Sequence, residues 1–199
     1  MNSLPTTYWD RRREEKQRLK KRFLAAVNAH VRPLGFAGSE KALAKSFPSG
    51  NLAVIHFQVL SSTDKAEVRP SIGVASARLA RAMKPDQKRI SREMHVGVFA
   101  RDCGKDLIDF PLRGDSSLFE LRSDEEADLA ADQMNRFLDI RGFKWMEDHS
   151  EDSTILKELE GAKGIPSDWA AILSDILAGR PLGTTTPYDP WQTLLSRSK

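Results

Sequence analysis

From Tyr8 to Arg32 the chain contains neither Gly nor Pro, and in its second half Leu19, Phe23, Ala26, Val27, Val31 and then Leu34 recur at three- and four-residue steps. That spacing draws one apolar stripe along an α-helix. The helix is predicted to start near Thr7, whose hydroxyl suits an N-cap, and to stop about Arg32, ahead of Pro33 and the Gly35-Phe36 pair. The stripe fades toward the N-terminus, because Arg12 and Lys16 fall in the angular sector of Leu19 and Phe23. The first turns are therefore expected to overhang the core, with Trp9 as an isolated apolar residue.

The period then changes from 3.6 to 2. EKALAKSF (40–47) and NLAVIHFQVL (51–60) flank PSGN (48–51), so a β-hairpin is predicted. VRPSIGVA (68–75) reads as a third strand, although Pro70 favours an edge or an irregular start. SARLARAM (76–83) is a short helix stopped by Lys84-Pro85, and MHVGVFAR (94–101) and SLFELR (117–122) are the fourth and fifth strands. Ser123 can cap the next helix, whose first turn is acidic and whose apolar residues are Leu129, Met134, Phe137 and Leu138; Gly142 is expected to end it. Helices over 153–160 and 167–178 complete the ordered part, and 179–199, rich in Pro, Gly and Thr, is expected to be an extended tail docked by Trp191, Leu194 and Leu195.

A helix, then hairpin-connected strands, then helices predicts an α+β fold: a mostly antiparallel sheet of about five strands with helices mainly on one face. The expected organisation is a single domain, 1–178, followed by the tail. A parallel dinucleotide-binding sheet is disfavoured, since neither GxGxxG nor GxxxxGK[ST] occurs. The 199 residues, 40% apolar, suit one sizeable core. No window approaches a membrane span and no apolar leader is seen, so a cytoplasmic protein is expected.

Charge changes the picture more than composition does. Residues 1–101 hold 20 Lys/Arg and 8 Asp/Glu, a net of +12, whereas residues 102–199 hold 11 and 20, a net of −9. Such polarity serves a basic surface meeting an acidic partner, or two halves that attract each other. The densest positive run is RRREEKQRLKKR (11–22), eight cations against two Glu. Arg11, Arg18 and Arg22 form a stripe on it and are the candidate nucleic-acid contacts; Glu15 interrupts that stripe and Glu14 to Arg18 makes a favourable i,i+4 pair, as in a solvated helix.

The sheet supplies the other candidate surface. His56 and Gln58 point away from Ala53, Ile55, Phe57 and Val59, while Arg69 and Ser71 share one side of the third strand and His95, Gly97 and Arg101 one side of the fourth. If these sides coincide, His56, Gln58, Arg69, Ser71 and His95 form a polar patch fit for an anion or a carboxylate-bearing peptide; the same alternation also describes the wet face of an antiparallel sheet. The four histidines (His30, His56, His95, His149) show no metal-ligand spacing, and the acidic pairs around His149 lack a calcium-loop pattern, so neither metal nor cofactor is expected. The single Cys103 excludes an intramolecular disulfide, and no GxSxG or Cys-His signature suggests an enzyme.

PLGF (33–36), IHFQ (55–58), SIGV (71–74), HVGV (95–98) and IRGFKWME (140–147), in this order behind an amphipathic helix, resemble a family of uncharacterised bacterial domains of unknown function over about residues 20–160. The resemblance implies a small stand-alone protein with a binding or immunity-like role and assigns no catalytic residues. The leading expectation is thus a protein-interaction module for an acidic protein. A nucleic-acid-associated protein is the alternative, and a ligand-binding protein or hydrolase at the polar sheet face the third reading.

Overall fold

A computed structural model describes residues 7–61, 65–83, 100–102, 118–161 and 167–180. Helix α1, Tyr8–Val31, opens with a reciprocal cap: the Thr7 hydroxyl accepts from the Asp10 amide at 3.2 Å, and the Asp10 carboxylate accepts from the Thr7 amide at 3.1 Å. A 3-10 turn, Arg32–Leu34, closes on Gly35, whose φ of 92° is left-handed and comfortable for glycine. Strands β1 (Ala37–Ser39), β2 (Ala42–Ser46), β3 (Leu52–Ser61) and β4 (Ala66–Ala75) follow as an antiparallel meander. Helix α2 is Ala77–Met83, and the short strands β5 (Ala100–Asp102) and β6 (Phe119–Leu121) both pair antiparallel with β4.

Among the described residues the sheet is therefore six-stranded in the order β1-β2-β3-β4, with β5 and β6 both paired to the same side of β4. β6 pairs with Ala66 to Val68 and β5 with Ser71 to Gly73. Pro70 lies opposite Phe57, whose amide donates at 2.8 Å to the Lys41 carbonyl on the far side, so the Pro70 nitrogen faces away from β3 and its missing N–H costs that ladder nothing. The strand is interior rather than the edge its proline suggested. β1 is a strand absent from the sequence expectation, since three mostly exposed residues carry no alternation.

Beyond β6, α3 (Asp124–Phe137) is capped by the Ser123 hydroxyl, which accepts from the Glu126 amide at 3.2 Å. Gly142 does not end this helix. The chain passes through a π turn, Leu138–Gly142, into α4, Phe143–Asp148, with the Phe143 amide donating to the Leu138 carbonyl. Helices α5 (Asp152–Gly161) and α6 (Ser167–Leu177) come last. The expected tail, the strand residues 94–99 and the candidate ligand His95 lie outside the described residues.

Helices α1 and α3 cover one face of the sheet. Leu19, Phe23, Val27 and Val31 of α1 and Ala127, Ala131, Met134 and Phe137 of α3 are buried with Ile55, Phe57, Val68 and Ile72. Phe23 meets Phe57 edge to face, with ring centroids 5.7 Å apart and planes at 87°, and Phe119 at 5.4 Å. Asn51 ties the β2–β3 turn to the remaining helices. Its Oδ1 accepts from the Ala77 amide at 2.9 Å, and its Nδ2 donates to the Ser150 carbonyl at 2.8 Å and to Asp152 Oδ1 at 3.0 Å.

Candidate functional site

The strand register brings four of the five sheet candidates together. His56 lies opposite Ser71 and Gln58 opposite Arg69, so all four share the face turned away from α1 and α3. The Ser71 hydroxyl donates to the His56 carbonyl at 3.4 Å, and burial holds the His56 imidazole below its usual pKa, hence neutral at neutral pH. Arg69 Nε is buried and has no hydrogen-bond partner among the described residues. In the β4–β5 register Arg101 lies opposite Ile72 and Asp102 opposite Ser71. Among the described residues no group of His, Cys, Asp and Glu is placed to hold a metal ion.

The basic helix divides into two faces with different employment. At about 100° per residue, Arg11, Arg18 and Arg22 fall within an arc of roughly 40°. That arc looks at α3. Arg18 Nη1 bonds both oxygens of Asp124 at 2.6 and 2.7 Å, while Arg22 grips Asp128 through Nε at 2.6 Å and Nη2 at 2.7 Å and reaches Asp124 at 3.1 Å. Hydrogen bonding from these guanidiniums holds both carboxyls below the usual aspartate range. Arg11, two turns before Arg18, is exposed and beyond this seam.

The second face comprises Tyr8, Trp9, Arg12, Arg13 and Lys16, within an arc of about 140° that contains no carboxylate. It continues the direction of Leu19 and Phe23 past the end of the core. Every residue from Tyr8 to Glu15 is exposed, which makes an overhang of roughly 10 Å at 1.5 Å per residue. Trp9 is 68% and Tyr8 58% exposed. Their rings pack edge to face at 5.4 Å, and Arg12 both donates through Nε to the Tyr8 hydroxyl at 3.0 Å and lies over the Tyr8 ring at 5.6 Å.

Under the overhang lies a cleft of about 250 Å³, bounded by Arg12, Glu15, Lys16 and Leu19 on α1 and by Leu121 and Arg122 at the end of β6. Beside it, Glu120 accepts from Lys65 Nζ at 2.8 Å and Arg122 Nη2 at 2.7 Å, and these bonds, the lysine's first, hold its carboxyl below the usual value. Sequence reading singled out the arginine stripe that α3 uses and passed over Tyr8, Arg12 and Arg13. The available signal was a helical wheel on which no acid interrupts the Tyr8–Lys16 arc.

Elsewhere, His30 Nε2 meets Asp139 Oδ1 at 2.9 Å, and His149 donates from Nδ1 to the Trp145 carbonyl at 2.7 Å while stacking on the indole at 4.4 Å. Among the described residues no helix is long and apolar enough to cross a membrane. No protein-family model, no curated protein and no solved structure matches the chain.

Proposed function

We propose that the protein is an interaction module that docks an acidic protein surface against the overhanging turns of α1. The observation that carries this reading is the segregation of charge on the overhang: Tyr8, Trp9, Arg12, Arg13 and Lys16 share one carboxylate-free face, with two exposed aromatic rings. Tyr, Trp and Arg are the residues that most often dominate protein-interface energetics, because each pairs a large apolar body with a polar or charged edge. The cleft beneath offers a place for one partner side chain, and Arg12, Lys16, Lys65 and Arg122 outnumber its one acid, Glu15, which favours a carboxylate over a basic group. A partner-binding role is also what the resemblance to uncharacterised bacterial domains implies.

A phosphate backbone would be attracted by the same charges. Two of the three stripe arginines, however, already spend their forked donors on α3 carboxylates, which leaves fewer cations in register for successive phosphates. The test uses the full chain as bait in lysate of the native cell, with and without nuclease. Candidate partners are then purified and rebound to wild type, to R12E/R13E and to W9A. The reading expects a partner retained after nuclease treatment, whose purified form binds directly, weakens with salt and is lost with R12E/R13E. Capture abolished by nuclease would transfer the overhang to nucleic acid, and rebinding indifferent to both variants would remove it as the docking surface.

A further inference from the structure

On the face of β3 and β4 turned away from α1 and α3, Gln58 stands opposite Arg69 and His56 opposite Ser71. The Phe57 amide is turned to the Lys41 carbonyl, so the residues on either side of it exchange their hydrogen bonds with β4, and the four Cα atoms mark a rectangle of about 5.5 by 7 Å. Exposure falls along this face from Gln58, exposed, through half-buried His56, Arg69 and Ser71 to Val54 and Gly73, which are buried and opposite each other. The polar row is thus the rim of a covered region, sheltered on one side and open on the other. We infer that this rim binds a small monocarboxylic acid, with Arg69 gripping the carboxylate.

Arg69 differs from the other arginines of the surface. Arg18, Arg22, Arg122 and Arg180 are exposed and each bonds a carboxylate. Arg69 is drawn further in, its Nε is buried, and among the described residues neither a hydrogen bond nor an ion pair engages its guanidinium. A charged donor edge withdrawn from water without an acceptor carries an unmet desolvation cost. A carboxylate relieves that cost by taking Nε and one Nη together in a planar fork.

The neighbours set the ligand's charge. Burial keeps the His56 imidazole neutral, so Arg69 is the one positive charge of the row, which matches a carboxylate monoanion and falls short of a phosphate dianion. Glu67, the one acid in the sequence of these two strands, shares the Arg69 side of β4 but lies beyond it, opposite Leu60. There Lys20 Nζ, donating to the Leu60 carbonyl at 2.8 Å, supplies the counter-charge. The Gln58 amide and the imidazole offer neutral donors around the guanidinium, and Ser71, which donates to the His56 carbonyl at 3.4 Å, is small enough to leave room beside Arg69. This site shares no residue with the overhang and stands independently of the docking reading.

The probes are butyrate, its neutral counterpart butyramide, and inorganic phosphate, titrated into the isotopically labelled full chain at neutral pH and followed by NMR at the Arg69 side-chain Nε–H, assigned through R69Q. Butyrate should shift that signal saturably and bind roughly tenfold more tightly than butyramide, the worth of one charge-assisted hydrogen bond, and more tightly than phosphate. Two variants remove the grip by different routes. R69Q deletes the guanidinium, and Q58E, at an exposed position that keeps the fold, sets a carboxylate directly across the ladder from Arg69 so that the site is filled from within. In Q58E, and in R69Q where its spectrum is that of the folded chain, the preference for the acid should vanish. No saturable shift at Arg69 Nε–H, equal affinities for acid and amide in wild type, tighter binding of phosphate than of butyrate, or an acid preference that survives Q58E would each overturn the inference.

Discussion

Asn51→Asp changes one nitrogen for one oxygen at a buried junction, and its cost can be worked from three distances. The Oδ1 bond from the Ala77 amide survives, whereas the two donations from Nδ2, to the Ser150 carbonyl at 2.8 Å and Asp152 Oδ1 at 3.0 Å, are lost. In their place stand two carboxylates whose repulsion at that separation is about 5 kcal/mol at an effective dielectric of 20. Arg78, 3.6 Å from the other Asp152 oxygen and exposed, offsets little of it. The introduced carboxyl escapes the repulsion by keeping its proton, and it then returns one O–H donor to Asp152. Its folded-state pKa is thus raised above the unfolded value. The sign follows: relative to wild type, stability is retained below the unfolded carboxylate range and lost as pH rises through the raised value. Asn51→Ala instead orphans the Ala77 amide and both acceptors irrespective of pH, at about 3 kcal/mol. Urea unfolding of wild type and both variants at neutral and mildly acidic pH decides. N51D should cost more than N51A at neutral pH and less in acid. Parallel pH profiles for the two variants would refute the reasoning and with it the role of Asn51 as the link between turn, α2 and α5.

Gly142→Ala ordinarily gains about 1 kcal/mol inside a helix. Here the added Cβ meets buried Leu138 and Phe137, so we expect a net loss of about 1 kcal/mol by chemical denaturation; a gain would show that the π turn is not held by packing. His56 carries an imidazole whose pKa is lowered by burial, so the unfolded chain takes up its proton first and stability falls as pH drops through 6.5 toward the lower folded value. H56Q should flatten that limb of the pH–stability curve, and an unchanged limb in the variant would move the acid sensitivity to another group.

The parts of the fold legible in the sequence are those written in local patterns. The stripe of α1, the Thr7 and Ser123 caps, the turn 48–51 and the alternation of β3 each involve neighbours a few positions apart, and each stands where it was expected. What could not be read depends on distant partners. Gly142 has the composition of a helix stop, yet its φ is −64° and the chain continues, because the missing Cβ serves contact with Leu138 rather than reversal. Pro70 signalled an edge or an irregular start, and it is tolerated inside the sheet because its partner across β3 is Phe57, at a pair where the Pro70 nitrogen faces away from β3. The two arginine faces of α1 are equally visible on a helical wheel. Which of them α3 would claim is a tertiary fact: Arg18, paired with Glu14 in the sequence expectation, bonds Asp124 instead, 106 positions away.

That choice gives the charge polarity of the chain a structural meaning. Arg18, Arg22, Asp124 and Asp128 all have side chains at least one-third exposed, so the seam is screened by water and adds little to stability. Its geometry is nevertheless specific, since Nε and Nη2 of Arg22 each hold one oxygen of Asp128 in a planar fork. The fork lies between Leu19 and Phe23, inside the apolar stripe, so it adds to the packing that already fixes the rotation of α1 about its own axis. Turning the helix by one residue's 100° would carry Arg12 and Lys16 off the cleft beside Leu121 and Arg122. The acidic half of the chain therefore meets the basic half along one arginine face of α1, while the apolar stripe and this seam together leave Arg12 and Lys16 toward the cleft.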